Sequence, residues 1–466
     1  MSGSTSKESR RRFLKKAAAT GAALKVSAGV ATTLQSADLH EPADSAVALK
    51  WMDNYPPLTR TGVSWGVPWP RGAMPHDQQL AVLTADRRVV PSQSWALAFW
   101  PDGSVKWSGL AITADESVVA PLTVSVSSRP SPITPLHVID EPESVEISTG
   151  SLVCRIPRKG SVLIDSLVVD GRQVATNGRL IAIREDRSDY DSKGTLRQER
   201  YTGEVNTVTV EQSGPVRAVV RIEGFHASSD PARKWLPFNV RLCFTAGCNS
   251  IRVVHSFVFD GDDTDFIRGL GLAFTVPFRE EKQNRHVRFA ADGDGFWSEP
   301  VLMSPGYRPQ LVKDAVKMNT DQMAGKRIPN LKDLDAKTKA QFETIAIWDA
   351  FKLNQLAPDS FAIAKRTGQA SSWLHAMNGH RANGFVFLGD VSGALAVGVR
   401  RFWEKYPSSF EITGAGTTAG ELKVWLWAPD APAMDLRRST LSVTTAQYPM
   451  KTCRKDSARR MRCKHL

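Results

Sequence analysis

Residues 238–245 read Phe-Asn-Val-Arg-Leu-Cys-Phe-Thr, with an apolar side chain at every second position. A strand sends successive side chains to opposite faces, so this text has one apolar and one wet face, which a 3.6-residue helical period would not sort. The next run, 251–259, is again rich in Val and Phe, and Ala246-Gly247-Cys248-Asn249-Ser250 between them is turn text. Two runs joined this way form a β-hairpin. The same pattern recurs from Val63 onward, with short Val, Ile, Leu and aromatic runs separated by turn residues at intervals of roughly 8–15 residues, the spacing of an all-β sandwich or barrel. Strands are expected near 80–83, 94–100, 105–112, 145–156, 163–169, 180–184, 207–212, 216–226, 344–353, 361–366, 384–388, 394–401 and 421–427. Residues 127–142, rich in proline, read as a linker, and the charged stretch 184–203 as a loop. The Lys- and Asp-rich stretch 313–339 reads as an excursion or short helix. No internal repeat or heptad is present.

Charge separates the ends from the body. The 466 residues carry a net charge of +12, of which +6 lies in residues 1–27 and +8 in 437–466, leaving the body at −2. Nucleic-acid binding calls for a basic patch on the folded part, so that function class is set aside. Ser9-Arg10-Arg11-Arg12-Phe13-Leu14-Lys15, followed by a weakly apolar Ala/Gly stretch, fits a twin-arginine export signal. The twin-arginine translocase is then a partner during export, and the mature protein is expected in the periplasm or outside the cell. The stretch is too weakly apolar for a membrane span. The basic text after Ala433 has no alternation and is expected to be a disordered tail. The organisation expected is a leader at 1–40, a Trp-rich domain at 41–130, a larger β domain at 143–433 and a tail at 434–466.

Five cysteines occur, at Cys154, Cys243, Cys248, Cys453 and Cys463, with no CxxC pair, which argues against a zinc ribbon. Cys243 and Cys248 flank the hairpin turn and are open to two readings, a disulfide in an exported protein or two half-buried thiols. The text holds no Walker loop, dinucleotide fingerprint, HExxH or GxSxG elbow. Asp260-Gly261-Asp262-Asp263-Thr264-Asp265 offers hard oxygens for Ca²⁺, off EF-hand spacing, and reads more simply as a solvated acidic turn. Asp292-Gly293-Asp294-Gly295 reads the same way.

Two stretches are rich in chemistry. Residues 371–381 gather Trp373, His375, Asn378, His380 and Arg381 around an Asn-Gly turn. Histidine works as acid or base near neutral pH, and arginine holds a carboxylate with a planar fork. An ordinary polar loop is the competing reading. Residues 400–407 place Arg400 and Arg401 beside Trp403 and Tyr406, which suits a sugar acid: a fork for the carboxylate and rings for the apolar sugar face. A charged sheet edge with snorkelling stems is the alternative.

Residues 61–109 hold five tryptophans. Within them, Pro101-Asp102-Gly103-Ser104 closes a hairpin, since Pro presets φ and Gly accepts positive φ. Gly66, Pro68, Pro70 and Gly72, then Gln93, Trp100, Pro101, Asp102, Gly103, Ser104, Lys106 and Trp107, resemble the N-terminal signature of the exo-rhamnogalacturonan lyase family of pectin-degrading enzymes. The likeness continues more weakly to Leu436. It implies an all-β chain: a small N-terminal β-barrel, then a large antiparallel β-sandwich. The α/α toroid of that family has no counterpart in this text, so a truncated chain is expected, and a folded but inactive one is possible within that reading. The implied chemistry is β-elimination at galacturonate: a base takes the C5 proton, a cation neutralises the carboxylate, and the C4–O bond breaks. By residue chemistry, His375, His380 and Tyr406 are the candidates for base and acid. Arg381, Arg400, Arg401 and Trp403 are the candidates for substrate binding, with Ca²⁺ as an alternative carboxylate partner. The competing class is a non-catalytic carbohydrate-binding or scaffold β protein that uses the Trp-rich stretch as a sugar platform. Within a small barrel most of these tryptophans are expected in the core.

Overall fold

The computed structural model describes residues 46–126, 134–187, 195–228, 233–306 and 314–436, and the backbone of 462–465. The leader at 1–40, most of the basic tail, Cys453 and part of the 127–142 linker lie outside the described residues. The fold is all-β, built from antiparallel sheets, and two short α-helices are the only ones among the described residues.

The N-terminal part closes two small sheets on each other. Its strands are β1 (Val47–Leu49), β2 (Thr61–Pro68), β3 (Leu80–Leu83), β4 (Val89–Val90), β5 (Ser92–Phe99), β6 (Val105–Ala114) and β7 (Leu122–Val126). They pair in the orders β1-β7-β3-β4 and β2-β6-β5. Alternation sets the core: Leu110 and Ile112 of β6 and Val67 of β2 point inward and meet Trp69, Met74, Val82 and Val124. The β5–β6 hairpin turns where the sequence places it. Gly103 has φ +85°, Gly103 N donates to Trp100 O at 2.9 Å, and the Asp102 carboxylate accepts from the Ser104 hydroxyl and amide. These bonds, the hydroxyl first, hold Asp102 down to about 2.

The expectation that the tryptophans are mostly core needs correction. Trp69 is buried and donates to Ser108 Oγ at 2.9 Å, but Trp107 is 40% exposed. Trp65, Trp95 and Trp100 are half-buried. A three-stranded sheet has only one inward face, and β2 and β6 also carry residues on the outward one.

The second part is a sandwich. Its strands continue as β8 (His137–Asp140), β9 (Ser144–Ser148), β10 (Leu152–Pro157), β11 (Ile164–Val169), β12 (Arg172–Glu185), β13 (Gln198–Gly214), β14 (Arg217–Ser228), β15 (Lys234–Thr245), β16 (Ile251–Val258), β17 (Phe266–Pro277), β18 (Arg285–Ala290) and β19 (Phe296–Pro300). After α1 (Ala315–Met323) and α2 (Ala336–Glu343) come β20 (Ala350–Ala357), β21 (Ser360–Arg366), β22 (Leu374–Gly379), β23 (Phe385–Asp390), β24 (Gly393–Gly398), β25 (Ser408–Thr413), β26 (Ala419–Trp427) and β27 (Arg462–His465). The large sheet runs β22-β21-β20-β25-β26-β17-β12-β13-β14-β15-β16-β27, with β11, β10, β9 and β8 branching from β12. A second sheet, β19-β18-β23-β24, shares the core with it. Phe289 of β18 stacks on Phe410 of β25, and Trp297 of β19 meets Phe351 of β20 edge-on. Strand β15 shows the logic: Phe238, Val240, Leu242 and Phe244 are buried while Asn239, Arg241 and Cys243 face outward. Each such buried side chain stabilises the fold by about 1.5–3 kcal/mol.

Local differences from the sequence reading have physical causes. The expected linker contains β8, because Val138 packs on the core. The expected loop at 184–203 shrinks, since β12 runs to Glu185 and β13 starts at Gln198, the two pairing there. The strand expected from 344 begins at Ala350, because Ile345 and Ile347 pack on the small helical core of Met318, Ile328 and Phe342 instead. Cys243 and Cys248 are free thiols. They sit on different sides of the turn's backbone: Cys243 is half-buried on the outer face, and Cys248 is buried beneath Thr149, whose hydroxyl donates to its carbonyl at 2.7 Å. Four residues of the expected tail form β27 beside β16.

Candidate functional site

The loop after β22 is held by two groups the sequence reading did not assign. Asp292 lies in the turn joining β18 to β19. Its Oδ2 accepts from His380 N at 2.9 Å and its Oδ1 from Arg381 N at 2.5 Å. These backbone donors, His380 first, pull its carboxyl below the ordinary range. Gly379 has to be small here, since a Cβ on it would stand 2.5 Å from Asp292 Oδ2. From below, the buried Gln355 of β20 donates to His380 O at 2.9 Å and accepts from Ala382 N at 2.9 Å. Gln355 was readable in outline. Phe351, Leu353 and Gln355 share one face of a strand, and a glutamine in the inward row must find backbone partners.

The second loop, 399–406, is fixed by packing. Phe402 is buried and stacks on Phe410 with ring centres 4.7 Å apart. Gly384 (φ +73°) lies against Phe402 and accepts from Val399 N at 2.7 Å. The two loops then meet through their side chains: the Arg381 guanidinium lies 4.4 Å from the centre of the Trp403 ring. Such a cation over an indole keeps its N–H fork free at the rim.

Of the residues named from sequence, the structure brings Arg381 and Trp403 into contact and puts Arg400 and Arg401 on the same loop as Trp403. Arg400 and Arg401 are exposed, and Arg401 lies 3.7 Å from Glu404. The positive field there is concentrated. Lys405 is pushed below its usual range, by burial first and then by Arg401 and Arg400. His380 is exposed, with Nδ1 3.3 Å from Asp359 O. His375 is placed differently, on β22 opposite Ala364 on the outer face of the large sheet, with Nε2 3.2 Å from Asn378 Oδ1. Tyr406 is 46% exposed. No hydrogen bond joins His375, His380 and Tyr406 to one another among the described residues. Trp373 also lies apart, between Lys352 and Arg366.

The two acidic turns are occupied by the protein's own groups. Asp265 is buried and pairs with Arg184 and Arg233, Asp260 accepts from Leu236 N, and Asp262 caps Thr264. Asp260, Asp262 and Asp263 are exposed, as expected of a solvated acidic turn, and Asp265 alone is buried as an ion-pair partner. Asp292 is committed to the loop. Among the described residues no three His, Cys, Asp or Glu side chains gather as a metal site. Chemically, the loop cluster offers one oriented guanidinium on an aromatic ring, two exposed arginines and an adjacent imidazole. Guanidinium forks pair with carboxylates and indole faces with apolar ring faces.

Comparison with known proteins adds a family likeness. Residues 136–453 match the central beta sandwich domain of PcRGLX-like proteins, and residues 45–127 match the PcRGLX-like N-terminal RIFT barrel domain. The uncharacterized protein YetA of Bacillus subtilis (strain 168) is 36% identical over 396 residues, which is 84% of this chain and 45% of the relative. The chain thus spans less than half the length of that relative.

Proposed function

The chain belongs to the family of PcRGLX-like proteins, and from that premise we propose that it is an exported, pectin-acting polysaccharide lyase-like protein that works at galacturonate in rhamnogalacturonan. The observation that carries this reading is the Arg381–Trp403 pair, with the Arg381 backbone clamped by Asp292. A galacturonate laid along Trp403 would meet the guanidinium fork with its carboxylate. Neutralising that carboxylate lowers the cost of removing the C5 proton, because the pair of electrons left behind spreads into it. The base takes the proton, the C4–O bond breaks, and the leaving oxygen gains a proton. His380 adjoins Arg381 and is the better placed base, with Tyr406 as the proton donor to the leaving oxygen. His375, on the outer sheet face, is assigned to glycan contact. Export by the twin-arginine route puts the protein where extracellular pectin is found.

The test adds rhamnogalacturonan to this chain and to the longer relative and follows the ultraviolet absorbance of unsaturated uronate. Absorbance from either supports the elimination; silence from both overturns it. A second reading is favoured by the exposure of Arg400, Arg401 and Tyr406, which form an open surface. Here the chain binds the polysaccharide without turnover. Calorimetric binding by a chain that yields no unsaturated product is its signature.

A further inference from the structure

The outward face of the barrel's β2-β6-β5 sheet presents two indoles on a glycine floor. Gly66 of β2 and Gly109 of β6 are directly paired across the ladder, and Trp95 of β5 is paired with Gly109 on the other side. The Trp95 ring lies over Gly109 so closely that any Cβ there would collide with it. Trp107 lies diagonally over Gly66, its ring 3.3 Å from where a Cβ would stand. Trp107 faces Ala98 and Pro68, neither large enough to cover it, and a bulge in β5 between Ala96 and Ala98 bends that strand. The result is a ring that is 40% exposed. A core role explains neither this exposure nor two adjacent glycines beneath two tryptophans.

The same face runs into the sandwich, which supplies a cation. Gln93 Oε1 accepts from Val216 N at 3.2 Å and from Arg217 N at 2.7 Å. This sets the Arg217 guanidinium 5.2 Å from the centre of the Trp95 ring. Arg217 donates to Gln212 Oε1 and Cys243 Sγ and makes no salt bridge among the described residues, though its charge helps hold the Glu211 carboxyl low. Arg252, exposed and paired in register with Cys243, has none either. A flat, exposed indole face takes the apolar face of a sugar ring, and a guanidinium beside it with no salt bridge complements a carboxylate.

We propose that this face is a second glycan-binding site, in which Trp107 stacks on a sugar ring and Arg217, held over Trp95, contacts a uronate of an acidic oligosaccharide. It rests on the proposed function for the class of ligand, and not on any chemical step there. The probe is a galacturonate-containing oligosaccharide from rhamnogalacturonan, with its carboxyl-reduced form as comparison. It is titrated by calorimetry into the full chain carrying Arg381→Ala, which silences the loop cluster. Trp107→Ala in that background should weaken binding about tenfold. Arg217→Gln should erase the preference for the acidic over the reduced form. Should Trp107→Ala fail to fold, Trp107→Phe identifies the Trp107 indole N–H resonance by its loss, and that resonance should shift as oligosaccharide is added. An unmoved resonance, or unchanged affinity in the Trp107 variants, overturns the site. If Arg381→Ala alone abolishes all binding, this site fails and the proposed function stands. If the unaltered chain binds neither form, both fail.

Discussion

Arg381 has its backbone fixed twice and its side chain once, by Asp292, by the Gln355-bound residues on either side of it, and by Trp403. Pre-positioning of this kind lets a planar fork act without first being ordered, which lysine cannot imitate. Arg381→Lys should therefore retain the fold and lose about tenfold in affinity for acidic oligosaccharide, as measured by calorimetry. Asp292→Ala removes the acceptor of two backbone donors, and amide hydrogen exchange of residues 380–383 should speed up while the core stays protected. The latch also has a pH sign. The Asp292 carboxyl titrates below its ordinary 3.8 in the folded chain, so its contribution is complete above that value and is lost as pH falls through the lower folded one. The sequence displayed Arg381 and Trp403 as promising types. It could not display Asp292 as their support, because that carboxylate is 89 positions away from Arg381 and reads as one more acidic turn.

At the scale of elements, period two made the strands legible, and most of the expected runs are strands. The pattern is silent on bulges, and the bulge in β14 shows what this hides. Between Gly224 and His226 the register with β15 shifts, Leu236 takes φ +46°, and His226 becomes fully buried. Its Nδ1 lies 2.8 Å from Leu236 O, its Nε2 has no hydrogen-bond partner among the described residues, and burial depresses it to about 4. Unfolded histidine takes its proton near 6.5, the folded one only near 4, so acid favours the unfolded chain between these values. Urea midpoints should thus fall as pH drops from about 6.5 to 4. His226→Asn, which keeps a donor for Leu236 O, should flatten that slope. It should not abolish it, because His286 is depressed to about 4 in the same way, by burial first. A slope unchanged by His226→Asn would refute the assignment. The glycine floor of the barrel was equally hidden, for the text shows Gly66 and Gly109 without showing that the ladder makes them neighbours.

In the whole molecule, the two sheets of the sandwich are joined by a buried charge pair. Arg172, at the start of β12, lies 3.0 Å from Asp390, at the end of β23, which also accepts from Arg279 N and from the Ser392 amide and hydroxyl. Burial alone would raise the Asp390 carboxyl, but the Ser392 hydroxyl, Arg172 and the backbone donors outweigh it and hold it down to about 2. Asp390→Asn leaves Arg172 buried without its counter-charge and should cost about 3–5 kcal/mol, read from chemical denaturation. The sign of the pH effect follows: this pair stabilises fully above about 4 and is lost as pH falls toward 2. Family and architecture were legible at this scale from one hairpin signature, whereas the pairing of distant charges was not. The Asp292 latch also bears on how the protein could be taken apart. The Arg381–Trp403 pair draws on the β18–β19 hairpin turn, the end of β22 and the loop after β24, three segments that no short peptide contains. It can be neither excised nor grafted as a loop. On the proposed function, ligand capture at Arg381 doubles as a report that the two sheets have closed on each other, and in a refolding experiment it should be among the last signals to return.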